Sequence, residues 1–394
     1  MSKAPTAVIV DVVRTPSGRG KLGGGLSGVH PVDLAAGVLN ALLSRNGLDS
    51  AQVDDVLMGC VSQVGDQSLN IGRQAVLAAG WEESIPATTI DRQCGSSQQA
   101  AHFAAQGVMA GVYDVVVAAG VESMSRVPLG SNAHGGTISN GIAARYPDGL
   151  VNQGVSAELI AQRWGLTREE LDAYSAESHR RAAQAWVDGR FDSQLLPVPT
   201  DAGDFSVDET VRASTTAEGL SGLKASFRTD DLAERFPDLG WNITAGNSSP
   251  LTDAASGALI MSEQKAAELG LTPRARFHSF AVVGDDPMMM LTGPIPATRR
   301  ILERSGLSIN DLDAYEVNEA FASVPLAWLA ELHADPARLD PWGGAIALGH
   351  AVGASGTRLL GTLLAHLEAT GGRYGLQTMC EGGGMANATI IERL

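Results

Sequence analysis

Short β-branched runs alternate with amphipathic stretches over the first third of the chain. Ala7 to Val13 (AVIVDVV) is almost continuously apolar and predicts a buried strand. Pro31 to Arg45 carries Leu34, Val38 and Leu42 at helical spacing, and Gly47 supplies a stop. Val53 to Cys60 predicts a strand and Asn70 to Ala79 a helix. The Thr and Ile content of Pro86 to Ile90 predicts a strand end. A run of small residues, Ala100, Ala101, Ala104 and Ala105, predicts a helix reaching about Gly111, and Asp114 to Ala119 (DVVVAA) a second buried strand. This βαβα alternation implies a layered α/β domain.

The texture changes near Val121. Residues 122–249 scatter Gly, Pro, Ser and Asp around one helical region, Ser156 to Asp188, as expected of an irregular insertion on a rigid scaffold. The stretch TAGNSSPLTDAASGALIMSE then predicts a turn, a helix and an apolar strand at Ala258 to Met261. After Pro273 the α/β pattern resumes and repeats the first half. Leu43, Arg45, Gly47, Leu48 and Asp54 fall on Leu302, Arg304, Gly306, Leu307 and Asp313 at an offset of 259 residues. The same offset puts Cys94 on Gly353, Ser96 on Ser355 and Glu122 on Glu381. Three patches sharing one offset imply two copies of one unit. The expected domains are residues 1–121 with 250–272, an insertion at 122–249, and residues 273–394.

Composition narrows the function classes. The hydrophobic fraction of 44% and charged fraction of 18% allow a large core. A net charge of -16 argues against a general nucleic-acid or anionic-membrane binder, but leaves room for a small anion on a local basic patch. Cys60, Cys94 and Cys380 form neither a disulfide framework nor a zinc pattern, and the eight His lack metal spacing. The N-terminal apolar run is too short for a signal segment, no stretch reaches membrane-span length, and the terminal ERL is not the peroxisomal tripeptide. A cytoplasmic protein is expected. Gly18, Gly20 and Gly23 match a dinucleotide fingerprint literally. Arg14-Thr15-Pro16 separates them from the strand, however, so the stretch predicts a loop at a surface or interface.

Four stretches carry chemistry. In DRQCGSSQQA, Cys94 stands at a strand-to-helix junction, where unpaired N–H groups and the helix dipole favour a thiolate. EVNEAFA places Asn318 and Glu319 at a strand end. GGAIALGHAVGASGTR embeds His350 among small residues. MCEGGGMANATI sets Cys380 before Glu381 and three glycines. Singly, these have ordinary explanations: a buried thiol, a core histidine, a tight turn. Together they supply a nucleophile, a base, a second thiol, an amide and bare backbone donors, a set suited to acyl transfer.

With GPIPATR at Gly293 to Arg299 and TAGNSS before Pro250, these motifs span nearly the whole chain, and the sequence resembles the thiolases, which cleave or form 3-ketoacyl-CoA. The resemblance implies a five-layered α-β-α-β-α fold of two similar halves with an inserted loop domain. It implies Cys94 as acyl acceptor, His350 as its base and Cys380 as the acid/base at the α-carbon. His350 with a water on Asn318 would form one oxyanion hole, and the N–H groups of Cys94 and Gly382 the other. Phe321 would line the pantetheine tunnel, Ser249 would touch the CoA arm, and Arg228 is a candidate for its phosphates. Glu319 is expected to be structural. Coenzyme A is then a co-substrate, with no bound cofactor or metal, and the partner a second copy in a homodimer or homotetramer. The sequence departs from the family pattern at Ala351, where Pro is usual, at Asp340-Pro341-Trp342, at Asn152-Gln153-Gly154 and in a longer Arg228 to Trp241 segment. The last two point away from a strictly short-chain biosynthetic role, and the ending CEGGGMANATIIERL is most similar to bacterial degradative thiolases acting on fatty-acyl or steroid-derived substrates. The alternatives are a biosynthetic acetoacetyl-CoA thiolase, a ketoacyl synthase, which has no need of Cys380, and a non-catalytic CoA carrier.

Overall fold

The computed structural model describes residues 5–394. The first half builds β1 (Ala7–Arg14), α1 (Pro31–Asn46), β2 (Asp55–Gly59), α2 (Ile71–Ala78), β3 (Ala87–Ile90), α3 (Ser96–Met109) and β4 (Val115–Ser123). The insertion contributes α4 (Gln153–Arg163) and α5 (Arg168–Val187), after which β5 (Thr252–Ser262) completes the first half. The second half runs β6 (Ala275–Gly284), α6 (Pro294–Ser305), β7 (Ala314–Val317), α7 (Ser323–Leu332), α8 (Ser355–Thr370), β8 (Tyr374–Glu381) and β9 (Met385–Arg393).

The strands lie in the order β7-β8-β9-β6-β1-β5-β4-β2-β3. The halves join where β1 and β6 pair, Val8 opposite Arg276 and Ile9 opposite Ala275. On either side the repeat is visible in the register. Asp55 opens β2 and Ala314 opens β7, and their parallel partners are Val116 and Gly375, again 259 residues apart.

Strand periodicity explains the layers. Val115, Val117 and Ala119 of β4 face α1 and α2, with Leu34, Val38 and Leu42. Val116 and Ala118 face the opposite way, onto Ala101, Ala104 and Ala105 of α3 and Leu360, Leu363 and Leu364 of α8. A strand covered on both faces must be apolar at every position, which is why DVVVAA does not alternate. On the far side α6 and α7 cover the second-half strands through Ile295, Ile301 and Trp328. The result is α-β-α-β-α. The central helices approach closely because their contact residues are small: a Cβ on Gly356 would stand 2.2 Å from the Gln98 nitrogen.

Two local expectations fail. The predicted helix after TAGNSS is absent. Thr252–Ser262 is one strand, buried throughout and paired to β1 and β4. Pairing on both sides outweighs the Gly/Ser content, and Ser256 satisfies its hydroxyl on the Ala354 carbonyl at 2.6 Å. The single region Ser156 to Asp188 is two helices. Gly165 turns the chain at φ +63°, and Thr167 restarts it with a capping box to Glu170. The insertion packs on the second half, with Ala157, Ile160 and Leu171 meeting Phe321, Val324 and Cys380.

Candidate functional site

Equivalent junctions of the two halves meet above the ends of the central helices. In the first half, the turn before α3 is set by Asp91, whose carboxylate accepts the Gln93 N–H at 2.7 Å. The Ser96 hydroxyl accepts from Arg92 N–H at 2.9 Å and donates to the Gln93 carbonyl at 2.6 Å. Gln93 is held at φ +48°, a conformation that costs a non-glycine residue energy and is sustained by these bonds. Cys94 follows, 3% exposed, among Val61, Met124, Val352, Leu359 and Met379.

The helix terminus that favours a thiolate at Cys94 is opposed by burial. Burial pushes its thiol well above the ordinary value, and Cys380 and Glu381 add to the rise. The helix begins only at Ser96, so the dipole acts from beyond the thiol and is outweighed by desolvation.

His350 is positioned from three directions. Its backbone N–H bonds the Thr252 hydroxyl at 2.9 Å, its Nδ1 lies 2.7 Å from Ser355 Oγ, and its Nε2 lies 3.5 Å from Asn318 Nδ2. Ser355 already donates its hydroxyl proton to the Ala351 carbonyl at 2.9 Å. Nδ1 therefore carries the hydrogen, and Nε2 presents a bare lone pair. Burial, reinforced by the Arg358 charge, lowers the imidazole to about 3, so it is neutral at physiological pH.

Cys380 is the penultimate residue of β8, just before Glu381, and is fully buried. Burial pushes its thiol up to about 12, against the pull of a hydrogen bond from the Asn318 side chain. Asn318 thus touches both His350 and Cys380. Glu319 points away, accepting from Tyr174 at 2.8 Å, Ser178 at 2.7 Å and the Ile346 N–H at 3.0 Å.

These groups surround a cavity of about 720 Å³ lined in part by Gln93, Phe227, Ser249, Phe321, His350 and Gly382. Cys94 lies behind its Val61, Met124 and Val352 wall, and Cys380 behind Met290, Ala320 and Phe321. Phe321 meets Phe227 edge-on, centroids 5.8 Å apart, and Ser249 N–H bonds the Ala320 carbonyl at 3.0 Å. Arg228 is outside this wall, half exposed and 4.0 Å from Asp230. Ser355, Thr252, Phe227 and Glu122 were not assigned roles from sequence. Glu122 and Ser355 left a signal there, their repeat relations to Glu381 and Ser96. Glu122 accepts N–H groups from Val61 at 2.9 Å, Ser62 at 3.1 Å, Gln67 at 2.6 Å and Gly353 at 3.0 Å, clamping one half to the other.

Comparison with known proteins identifies the family and the fold. The family model described as thiolase, N-terminal domain, matches residues 7–264, and that for thiolase, C-terminal domain, matches residues 271–393. The chain is 49% identical to the steroid 3-ketoacyl-CoA thiolase FadA6 of Mycobacterium tuberculosis, over 98% of this chain and 94% of that one. It is 42% identical to the 3-ketoacyl-CoA thiolase of Aliivibrio salmonicida, over 98% and 99%. The crystal structure of the Bacillus anthracis acetyl-CoA acetyltransferase superposes over the whole of both chains with a TM-score of 0.89 at 38% identity.

Proposed function

The chain belongs to the thiolase family, and from that premise we propose that it is a degradative 3-ketoacyl-CoA thiolase, an acyltransferase working through an acyl-Cys94 intermediate. The observation that carries the reading is that a neutral imidazole, His350, lines the cavity with Gly382, that Asn318 touches both His350 and Cys380, and that Cys94 and Cys380 are packed against residues of the cavity wall.

In the resting site, proton transfer from Cys94 to His350 is uphill, because the thiol is raised and the imidazole lowered. Transfer therefore accompanies attack. As Cys94 sulfur bonds the 3-keto carbon, its proton passes to His350 Nε2, and the oxygen gains charge near the N–H groups of Cys94 and Gly382. The C2–C3 bond then breaks, its electron pair passes into the acetyl-CoA enolate, and Cys380 gives C2 its proton. His350 and a water on Asn318 face the thioester oxygen of that enolate. Coenzyme A next enters, gives its thiol proton to the Cys380 thiolate and bonds the acyl carbon. Cys94 leaves and recovers its proton from His350. Each oxyanion donor is worth about 3 kcal/mol of barrier.

Coenzyme A is the co-substrate. Phe321 and Ser249 face its arm. The cavity wall holds no Lys or Arg, so its phosphates lie outside, where Arg228 is exposed. We place the protein in the cytoplasm, as its three free thiols suit a reducing compartment. No helix among the described residues is long and apolar enough to cross a membrane. We propose a homodimer or homotetramer, since β3 leaves an open sheet edge that a second copy can pair.

The test is intact-mass analysis after mixing with a long or bulky 3-ketoacyl-CoA, without coenzyme A. An acyl adduct on Cys94 is expected, together with faster thiolysis than of acetoacetyl-CoA. A strong preference for acetoacetyl-CoA would replace this reading by the biosynthetic one.

A further inference from the structure

Asn318 touches both His350 and Cys380, yet its own bonds do not fix it. Its Nδ2 is 3.5 Å from His350 Nε2, and its Oδ1 is buried without a partner among the described residues. An amide held so loosely takes its direction from the backbone on either side. Before it, the Val317 N–H donates to Asp340 Oδ1 at 3.0 Å. After it, Glu319 Oε2 accepts from Ser178 Oγ at 2.7 Å and from the Ile346 N–H at 3.0 Å. The remaining oxygens of these two carboxyls meet at one group. Tyr174 Oη lies 2.8 Å from Glu319 Oε1 and 3.2 Å from Asp340 Oδ2.

Tyr174 stands on α5, in the insertion, whereas Asn318, Glu319 and Asp340 belong to the second half. Its ring packs against the clusters that contain Phe321 and Trp328, which brings the hydroxyl to a fixed place. Asp340 opens the Asp340-Pro341-Trp342 stretch that departs from the family pattern. It is held at φ +40°, a strained angle for a residue with a side chain. Its N–H bonds the Tyr315 carbonyl at 2.8 Å, and Arg181 of α5 donates to the Leu339 carbonyl at 2.5 Å. Burial raises both carboxyls above their ordinary range, so the array does not have to hold two charges. We infer that Tyr174 is a positioning residue for Asn318: its hydroxyl joins the carboxyls anchored on either side of Asn318, and through them the insertion sets the direction of the amide shared by His350 and Cys380. The inference rests on the thiolase reading for its effect on rate and on geometry for its substance.

The experiment compares the full-length protein with Tyr174→Phe, which keeps the ring and removes the hydroxyl, each with Asn318 intact and with Asn318→Ala. With Asn318 intact, the substitution should lower kcat for thiolysis of a long-chain 3-ketoacyl-CoA about tenfold and leave KM within about twofold. In the Asn318→Ala background it should cost less than about twofold, because the residue it acts through is gone. Amide hydrogen exchange, read by mass spectrometry, should become about threefold faster or more over residues 314–322 and stay unchanged over residues 153–163 of α4. Asp340→Ala cuts the same tie from its other end and should give the same pair of readings if Tyr174→Phe folds poorly. Equal losses of kcat in both backgrounds would make Tyr174 a general structural residue. Unaltered exchange over 314–322 would mean that the hydroxyl holds nothing there. Either result overturns the inference. Absence of an acyl adduct on Cys94 would sink the catalytic reading instead, and the exchange result would still decide the geometry.

Discussion

The two halves of the molecule carry the same acidic residue at the same place and use it in opposite ways. Glu122 is the penultimate residue of β4 and satisfies four N–H donors, the last of them on Gly353 of the other half. Glu381 ends β8 and accepts from none among the described residues. One donor that would have met it is engaged otherwise, and the mate of Gln67 is Leu326, which has no side-chain donor. Ala320, the repeat mate of Val61, donates to the Asn318 carbonyl at 2.9 Å and reaches Cys380, whose thiol also takes the Asn318 amide. One copy of the junction spends its polar groups on holding the halves together. The other leaves them facing a cavity. Chemistry here sits where the second copy departs from the first, and where each lacks what the other has: Cys94 opposite Gly353, and His350 three residues earlier.

Breaking the comparison at Cys94, the proposed nucleophile, has the largest effect. Cys94→Ala should lower thiolysis about ten-thousandfold or more while leaving the fold in place. Gly353→Cys in that background should not restore it, since His350 and Cys380 are arranged around residue 94. Recovery would show that the halves are interchangeable. Breaking the clamp comes next. Glu122→Gln turns an NH2 group toward some of four backbone and side-chain donors, and each orphaned donor costs about 1–3 kcal/mol. Stability should fall by about 3 kcal/mol, read as a lower urea midpoint. A midpoint equal to that of the parent would remove Glu122 from any holding role. Smaller again is Ser355→Ala. It frees His350 to adopt the wrong tautomer at the cost of one hydrogen bond, so kcat should drop about tenfold with KM little changed. An unchanged kcat would mean that packing alone orients the ring.

The layered fold was legible because its signal is local. Strands such as β4, buried on both faces, write themselves as unbroken β-branched runs, and helix stops such as Gly47 depend on one backbone angle, here φ +63°. The repeat was legible because both copies keep the same spacing. What escaped depends on neighbours distant in sequence. β5 was half misread as a helix because its Ser and Gly residues are compatible with a strand only when β1 and β4 flank it. The sequence placed Cys94 at a helix terminus correctly, but the burial that raises its thiol is not visible there. Desolvation by Val61, Met124 and Val352 is a sum over three segments that no single motif contains. Glu122 and Glu381 were paired by offset, yet nothing in either local sequence distinguishes a carboxylate with four donors from one with none.

That difference should also be readable in the pH dependence of folding, as the smallest effect. His102 and His350 are lowered by burial to about 3 and His179 to about 4, below the ordinary value of 6.5. Between those limits the unfolded chain binds protons that the native state refuses, so these residues' contribution is full above about pH 6.5 and is lost as pH falls. Glu381 has the opposite sign. Raised by burial from 4.5 to about 8, it keeps in the native state a proton the unfolded chain has shed, so its contribution is full below pH 4.5 and is lost as pH rises through about 8. From about pH 7.5 to 8.5, a unit or more above the ordinary histidine value, the histidines contribute little slope, and the raised carboxyls do. Stability of the parent should therefore decline across that interval, and in Glu381→Gln the decline should be shallower by at most about 1.4 kcal/mol per pH unit, the slope of one proton. Glu316, raised by burial to about 8, and other carboxyls raised by burial, Glu122, Glu319 and Asp340 among them, remain in both proteins and set the residual slope. Parallel urea-midpoint curves for the two proteins would mean that Glu381 carries no proton in the native state, and that the second copy of the junction satisfies its acid as fully as the first.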